Sequence, residues 1–496
     1  MNSAEHEVVS TQILSRAVTF VLNVLVARLA SPEAYGVGYV SLQLLSNLIL
    51  FAAKEGFRKV ALRAAPQGAE EPDEALQSQS SANLGWCGFA SGAVAAGPLA
   101  FYWLRSAPAS ASWSYQGAVL LTAVASVLEG VAEPFVIRAL AAQEFQRRAA
   151  GEAGAILART FGMLFLTLAF GDVPLAFGAS QLLFATVWLA WLAWPCVMGE
   201  KEHLWQPSLL AGGALVLPHH WALLVEFAGM VLLKLALTEG EKMLLLVLFT
   251  EQDWGVFGLV SNLGSIILRL LFAPIEEIAY SVFSAAGPNN SRDAQTTMLR
   301  ALLLLQGGVG WLGLCYGPHF AGLAVRLLYG QSWADSEAPM VLAAYCAFLF
   351  CAAANGILEA FMYSQCPPEW VRQCTFWQVG ISFVLLGVSW AFRGWGPVAL
   401  VGANSLAMLL RAGLGVAFAH RHLQPSAAQL RLGPVARLLG LLLTGSLASW
   451  LFPPVGSPLR VCAAVCVAVL AISLPLALCR HELLATVRAV RRSKET

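Results

Sequence analysis

Hydrophobic residues fill this chain in long, nearly unbroken blocks, and polar residues gather in the short gaps between them. A helix rises about 1.5 Å per residue, so roughly 20 apolar residues cross a bilayer. Fourteen blocks have that character, near residues 10–30, 35–53, 82–104, 113–134, 149–170, 174–196, 221–248, 255–283, 297–317, 339–363, 374–392, 396–419, 436–452 and 459–479. The thirteenth is short, and the eighth is long and interrupted by Pro274. The pattern predicts an all-α polytopic membrane protein with about 14 transmembrane helices. An even number puts both termini on one side. The opening MNSAEHEVVSTQ has no basic n-region and no cleavage site, so the first block reads as an uncleaved membrane segment.

The blocks repeat. SPEAYGV opens the second at Ser31 and TEQDWGV opens the eighth at Thr250, a spacing of 219 residues (250 − 31). Both read hydroxyl residue, three polar or small residues, an aromatic, then Gly-Val. Each follows an apolar block, and each begins a block that ends in charge. This predicts two pseudo-symmetric six-helix lobes, residues 1–210 and 211–425, with a central cavity at their interface. Residues 426–496 add two further helices and a basic tail.

Composition agrees with the blocks. Of 496 residues, 58% are hydrophobic and 12% charged, with mean hydropathy +0.67; a soluble protein carries about 25% charged residues. Net charge is +1, so there is no electrostatic footprint for nucleic acid. Basic residues set orientation. With cytosolic termini, 19 of the 30 Lys and Arg fall on the cytosolic side, whereas the opposite loops hold only Arg105, Arg326, Arg393 and Arg460. The ten cysteines lie mostly within apolar runs and form no CxxC pair, so they read as small buried hydrophobes. No metal site and no cofactor is expected, and the absence of a GxxxxGK[ST] loop leaves no ATPase of the chain's own. The five aspartates form no DxD, which argues against a metal-dependent glycosyltransferase.

Charge inside the blocks is the informative exception, since a mid-membrane arginine costs on the order of 3 kcal/mol. Arg16, Arg159, Lys234, Lys242, Arg269 and Arg411 all lie within predicted spans. Three pairs sit seven apart on one helical face: Arg269 with Glu276, Lys234 with Glu241, and Glu152 with Arg159. Glu129 and Glu133 are four apart before Pro134, and Glu239 and Lys242 suit an intrahelical pair. These charges either pair among themselves or face water. A cavity lined by Arg16, Arg28, Arg58, Lys234 and Arg269 suits phosphate or diphosphate, which guanidinium groups bind bidentately.

Several segments carry a family resemblance. EGFRK (55–59), LEGVAEPF (128–135), LTEGEK (237–242), SNLGSIILRLLFAPIEE (261–277), LLYG (327–330) and ANGILEAF (354–361) resemble the eukaryotic dolichol-linked oligosaccharide translocation family, named from "requiring fifty-three". That family lies in the superfamily of multidrug, oligosaccharidyl-lipid and polysaccharide exporters. The matches run in order over residues 16–361; the last four helices match weakly, and the acidic stretch at 70–74 departs from the family pattern. The resemblance implies a fourteen-helix, two-lobe transporter in the endoplasmic reticulum membrane, with both termini cytosolic and no enzymatic activity. It implies delivery to the lumen of the dolichyl-diphosphate oligosaccharide bearing five mannoses and two N-acetylglucosamines, for protein N-glycosylation. Arg16, Arg58 and Arg269 resemble the cavity arginines of bacterial cell-wall lipid exporters and would hold the diphosphate. Glu276 and Glu277 would gate the cavity by pairing with Arg or Lys when substrate is absent. Expected partners are that lipid, membrane lipid and proteins of the glycosylation pathway. Two other readings use the same residues: an ion-coupled small-molecule exporter with Glu129 or Glu133 as its cavity acid, and a non-transport assembly factor for glycosylation enzymes.

Overall fold

A computed structural model describes residues 18–61, 74–107, 113–141, 144–198, 207–210, 213–285, 292–424, 440–447, 451, 454 and 458–478. Among these residues the regular elements are all helical. In chain order we number them α1 (Val18–Leu29), α2 (Pro32–Ala61), α3 (Glu74–Arg105), α4 (Trp113–Leu140), α5 (Phe145–Phe170), α6 (Val173–Val197), α7 (Pro218–Leu248), α8 (Glu251–Ser284), α9 (Arg292–Tyr329), α10 (Ala338–Gln365), α11 (Pro368–Ala391), α12 (Pro397–Leu423), α13 (440–447) and α14 (Pro458–Leu478). Each apolar block falls, among the described residues, on one helix. Among the described residues, ten helices are long and apolar enough to cross a membrane, and α1, α11 and α14 contain shorter apolar helices. The protein is therefore a multi-span membrane protein; fourteen crossings are more than the described helices establish.

The chain divides into two compact units, Met1–Gly255 and Val256–Thr496. In the first, α2 packs against α3, α4 and α7, while α6 packs against α4 and α5. In the second, α10 packs against α8, α9 and α12, and α11 packs on α12. There α13 and α14 join α9 through an apolar cluster of Cys315, Tyr316, Leu442 and Ala468, with Tyr316 donating its hydroxyl to the Leu442 carbonyl at 3.3 Å.

The two heptapeptides found in the sequence both build helix starts. Ser31 accepts a hydrogen bond from the Ala34 amide at 3.3 Å, with Pro32 in the first turn, where a missing amide proton costs nothing. Thr250 accepts from the Asp253 amide at 3.4 Å while Asp253 accepts from the Thr250 amide at 2.9 Å, a reciprocal capping box. Within the first unit these two starts cross each other. A Cβ on Gly36 would lie 2.5 Å from the Glu251 carbonyl oxygen and 2.6 Å from the Gly255 nitrogen, and a Cβ on Gly255 would collide with the Pro32 carbonyl. The contact is reciprocal: Gly36 corresponds to Gly255 and Pro32 to Glu251 at the same 219-residue spacing. Only glycine permits that approach.

Both of these helices contain a π-helical segment, Val37–Leu42 in α2 and Leu268–Phe272 in α8. The second has a clear cause. Pro274 lacks an amide proton, and its ring would strike the carbonyl one turn back; the helix widens just before it, and the Ala273 amide donates to the Leu268 carbonyl. The sequence predicted a bend at Pro274, and the structure meets that proline with a wider turn.

Candidate functional site

The charged residues of the first unit converge on one helix. Along α2, polar and charged side chains interrupt the apolar run at Gln43, Asn47, Lys54, Glu55 and Arg58. Facing it, α4 presents Glu129 and Glu133, and both helices run in the same sense, so two i, i+4 pairs meet rung by rung. The Lys54 ammonium bonds to the Glu129 carboxylate. The Arg58 guanidinium grips both oxygens of Glu133, Nε to Oε2 at 2.6 Å and Nη2 to Oε1 at 2.7 Å. Lys54 also lies 3.8 Å from Glu133. Gln181 of α6 donates to the other Glu129 oxygen at 3.3 Å. The Glu133 side chain is only 1% exposed and that of Arg58 is 25% exposed, so the acid is sealed in while the base keeps an open edge.

The α7 helix closes the other flank. Lys234 donates to Glu55 at 2.6 Å, and Glu55 also holds Lys59 at 2.9 Å. Lys234 and Lys59 are roughly half exposed, so this end of the seam is wet. Lys242 pairs with Glu239 within α7 at 2.9 Å, the intrahelical pair that the spacing suggested. Glu239 in turn accepts from Asn47 at 2.9 Å, Asn47 accepts from Gln43 at 2.8 Å, and Gln43 accepts from Arg159 of α5 at 2.9 Å. One continuous row of hydrogen bonds thus links α5, α2 and α7, with a cation at each end.

Other predicted residues lie elsewhere. Arg16 falls outside the described residues. Arg28, in α1, is exposed and engaged in a polar or ring contact. Glu241 is half-buried and likewise engaged. In the second unit Arg269 and Glu277 are exposed, while half-buried Glu276 accepts from Gln306 at 2.8 Å.

None of the three seven-residue spacings forms an ion pair. Lys234 turns to Glu55, Arg159 to Gln43, and Glu276 to Gln306. Two helical turns separate such residues by about 10 Å along the axis, beyond bridging distance. They share a face, and each takes a partner on a neighbouring helix. Gln43, Asn47, Lys54, Glu55, Gln181 and Gln306 were not among the sequence-derived candidates; Gln43 and Asn47 at i, i+4 inside an apolar run were the available signal.

Chemically, the seam is a set of cations already engaged by carboxylates or carboxamides. A carboxylate and a phosphate compete for the same guanidinium fork, so such pairs can be exchanged against an anionic ligand.

Residues 1–488, nearly the whole chain, match the model of the Rft protein family. The chain belongs to that family. Among similar proteins, one from Mus musculus named Man(5)GlcNAc(2)-PP-dolichol translocation protein RFT1 is 29% identical over 464 residues, covering 86% of this chain and 84% of the relative. Its namesake from Dictyostelium discoideum is 25% identical over 426 residues, 76% of this chain and 78% of the relative. Among solved structures, the lipid II flippase MurJ in an inward closed conformation matches with TM-score 0.67 at 13% identity, covering 96% of this chain and 99% of that one. An inward-facing multidrug transporter of the MATE family matches with TM-score 0.55 at 14% identity, covering 82% and 94%. At such identities the likeness shows the fold: this Rft-family chain has the helical transporter fold shared by MurJ and MATE proteins.

Proposed function

We propose that this chain moves the dolichyl-diphosphate oligosaccharide bearing five mannoses and two N-acetylglucosamines from the cytosolic to the luminal leaflet of the endoplasmic reticulum, for protein N-glycosylation. The observation that carries the reading is the pairing of Rft-family membership with an intramembrane seam of exchangeable cations: relatives covered over most of their length are named for translocating that lipid. The protein is a carrier rather than an enzyme, its termini face the cytosol, and it comprises two lobes, 1–210 and 211–425, followed by the C-terminal segment 426–496.

In this reading Arg16, Arg28, Arg58, Lys234 and Arg269 receive the diphosphate. Glu129, Glu133, Glu239, Glu241, Glu276 and Glu277, with Lys242, hold the charges when cargo is absent. The Arg58–Glu133 fork supports the exchange: its two oxygens at 2.6 and 2.7 Å occupy the donors that two phosphate oxygens would take. Exchange keeps the guanidinium paired throughout, which matters where an unpaired charge is costly.

One observation favours a second reading, in which the protein supports the step without carrying the lipid. Arg58 and Lys234 are both already ion-paired, as a scaffold with structural salt bridges would have them. Reconstitution decides between them. Purified protein in liposomes containing labelled five-mannose dolichyl-diphosphate lipid should speed its transfer across the bilayer above protein-free vesicles. Transfer no faster than in protein-free vesicles, with N-glycosylation still lost on depletion in cells, would reject the carrier and keep the scaffold.

A further inference from the structure

Arg159 differs from the other membrane cations of the first unit. Lys54, Arg58, Lys234 and Lys242 each hold a carboxylate. Arg159, near the middle of α5, holds none among the described residues. Its Nη2 donates to the Gln43 carbonyl oxygen at 2.9 Å, and its guanidinium lies over the Phe177 ring, 5.0 Å from the centroid. Glu152, seven residues earlier, is exposed and does not bridge to it. The guanidinium's remaining donors make no hydrogen bond among the described residues and the side chain is half-buried, whereas the Nε atoms of Arg148 and Arg411 are fully buried with no hydrogen-bond partner.

Glu129 of α4 acts on the guanidinium through space without bonding to it, and the side chain is fixed by neutral groups. A carboxamide anchors one edge and an aromatic face covers the plane, leaving N–H groups presented and unspent. Gln43 directly follows the π-helical segment Val37–Leu42, and Phe177 packs against Tyr39 within it at 5.6 Å between ring centroids. Such widened turns recur where a helix must aim side chains that a regular α-helix would not bring together. A positive charge at mid-span with no carboxylate bonded to it is costly to keep.

We propose that Arg159, held by Gln43 and Phe177, is an anion-binding residue that grips a phosphate oxygen of an isoprenyl diphosphate headgroup within the first unit. This rests on the carrier reading above and adds to it a residue that has no carboxylate to release: Arg58 must let go of Glu133 to bind phosphate, whereas no carboxylate is bonded to Arg159.

The test uses the full chain in lipid nanodiscs and farnesyl diphosphate as a soluble probe, with farnesol and farnesyl monophosphate as controls, read by calorimetric titration and thermal stability. Wild type should prefer the diphosphate over farnesol. Arg159→Gln, which keeps a donor for Gln43, should weaken diphosphate binding about tenfold or more with an unchanged melting temperature and unchanged farnesol binding. Arg159→Lys should fall between, keeping charge and losing the fork. Diphosphate affinity equal to wild type in Arg159→Gln would overturn the proposal while leaving the carrier reading intact. Wild type binding farnesol as tightly as the diphosphate would instead overturn the carrier reading. Should Arg159→Gln fail to fold, Arg159→Lys decides: weakened diphosphate binding in the folded protein supports the proposal, and wild-type affinity overturns it.

Discussion

Glu133→Ala should be the most damaging single change to the charged seam, and the reason lies in how its partners are buried. The Glu133 side chain is 1% exposed and accepts both hydrogen bonds from the Arg58 fork, at 2.6 and 2.7 Å. Removing the acid strands Arg58, whose side chain is only 25% exposed, and takes a second counter-charge from Lys54 at 3.8 Å. Breaking a buried pair from one side costs about 3–5 kcal/mol; the open edge of Arg58 lets water recover part of that, so about 3 kcal/mol is expected. Glu55→Ala makes the contrast. Its partners Lys234 and Lys59 are 47% and 48% exposed, so they turn to water and the cost is about 0–1 kcal/mol. Thermal denaturation of detergent-solubilised protein, followed by size-exclusion recovery, should show a large drop in melting temperature for Glu133→Ala and almost none for Glu55→Ala. The double variant Arg58→Met with Glu133→Leu should regain most of the loss, because apolar replacement of a whole buried pair is neutral or stabilising. Equal stability of the two single variants, or a double variant no better than Glu133→Ala, would refute the reasoning.

Further outcomes follow from the same geometry. Arg269→Ala should leave abundance unchanged, since the side chain is exposed and does not bridge to Glu276, while glycosylation-supporting activity falls about tenfold if each lost charge-assisted hydrogen bond is worth about 1.5–3 kcal/mol; recovery of both on adding Glu276→Ala would mean that the two residues pair after all. Gly36→Ala should lower thermal stability by about 1–3 kcal/mol because its Cβ would press on the Glu251 carbonyl at 2.5 Å, whereas Gly97→Ala, with nothing within 4 Å, should be silent in the same melt. The sequon at Asn289, outside the described residues, should carry no glycan if the charge-derived orientation holds; a glycosidase-sensitive band lost in Asn289→Gln would invert the topology.

The helices were legible because a bilayer demands about 20 apolar residues in a row and few other structures do. The caps at Ser31 and Thr250 were legible as a repeated phrase, although that phrase did not say the two copies would touch through Gly36 and Gly255. What the sequence hid was partner choice. Spacing shows which side chains share a face, as for Glu129 and Glu133 four apart on α4. It does not show which rung of a neighbouring helix lies opposite; that register comes from packing of α2 on α4 and fixes Lys54 to Glu129 and Arg58 to Glu133. Lys234 illustrates the point: its own helix offered Glu241 two turns away, and α2 offered Glu55 at 2.6 Å. The π segment at Val37–Leu42 was harder to see for another reason: Gly36 and Gly38 loosen the helix there without forcing a wider turn, whereas Pro274 forces its counterpart.

The two units treat their membrane carboxylates by different chemistry, and the difference bears on where an anion can enter. In the first, Glu55, Glu129, Glu133 and Glu239 are each held by Lys or Arg. In the second, Glu276 is held by Gln306 at 2.8 Å, and Glu359 by Asn355 at 2.8 Å and Gln378 at 3.1 Å, with Gln378 also donating to the Tyr363 hydroxyl oxygen at 2.8 Å. An amide offers one or two neutral donors, whereas a guanidinium offers a charged fork. A phosphate that displaces a carboxylate from Arg58 therefore gains a full ionic partner, while one that displaces Glu276 from Gln306 gains a neutral donor and meets a carboxylate of its own sign. On the proposed reading the diphosphate is therefore gripped within the first unit, by exchange at Arg58.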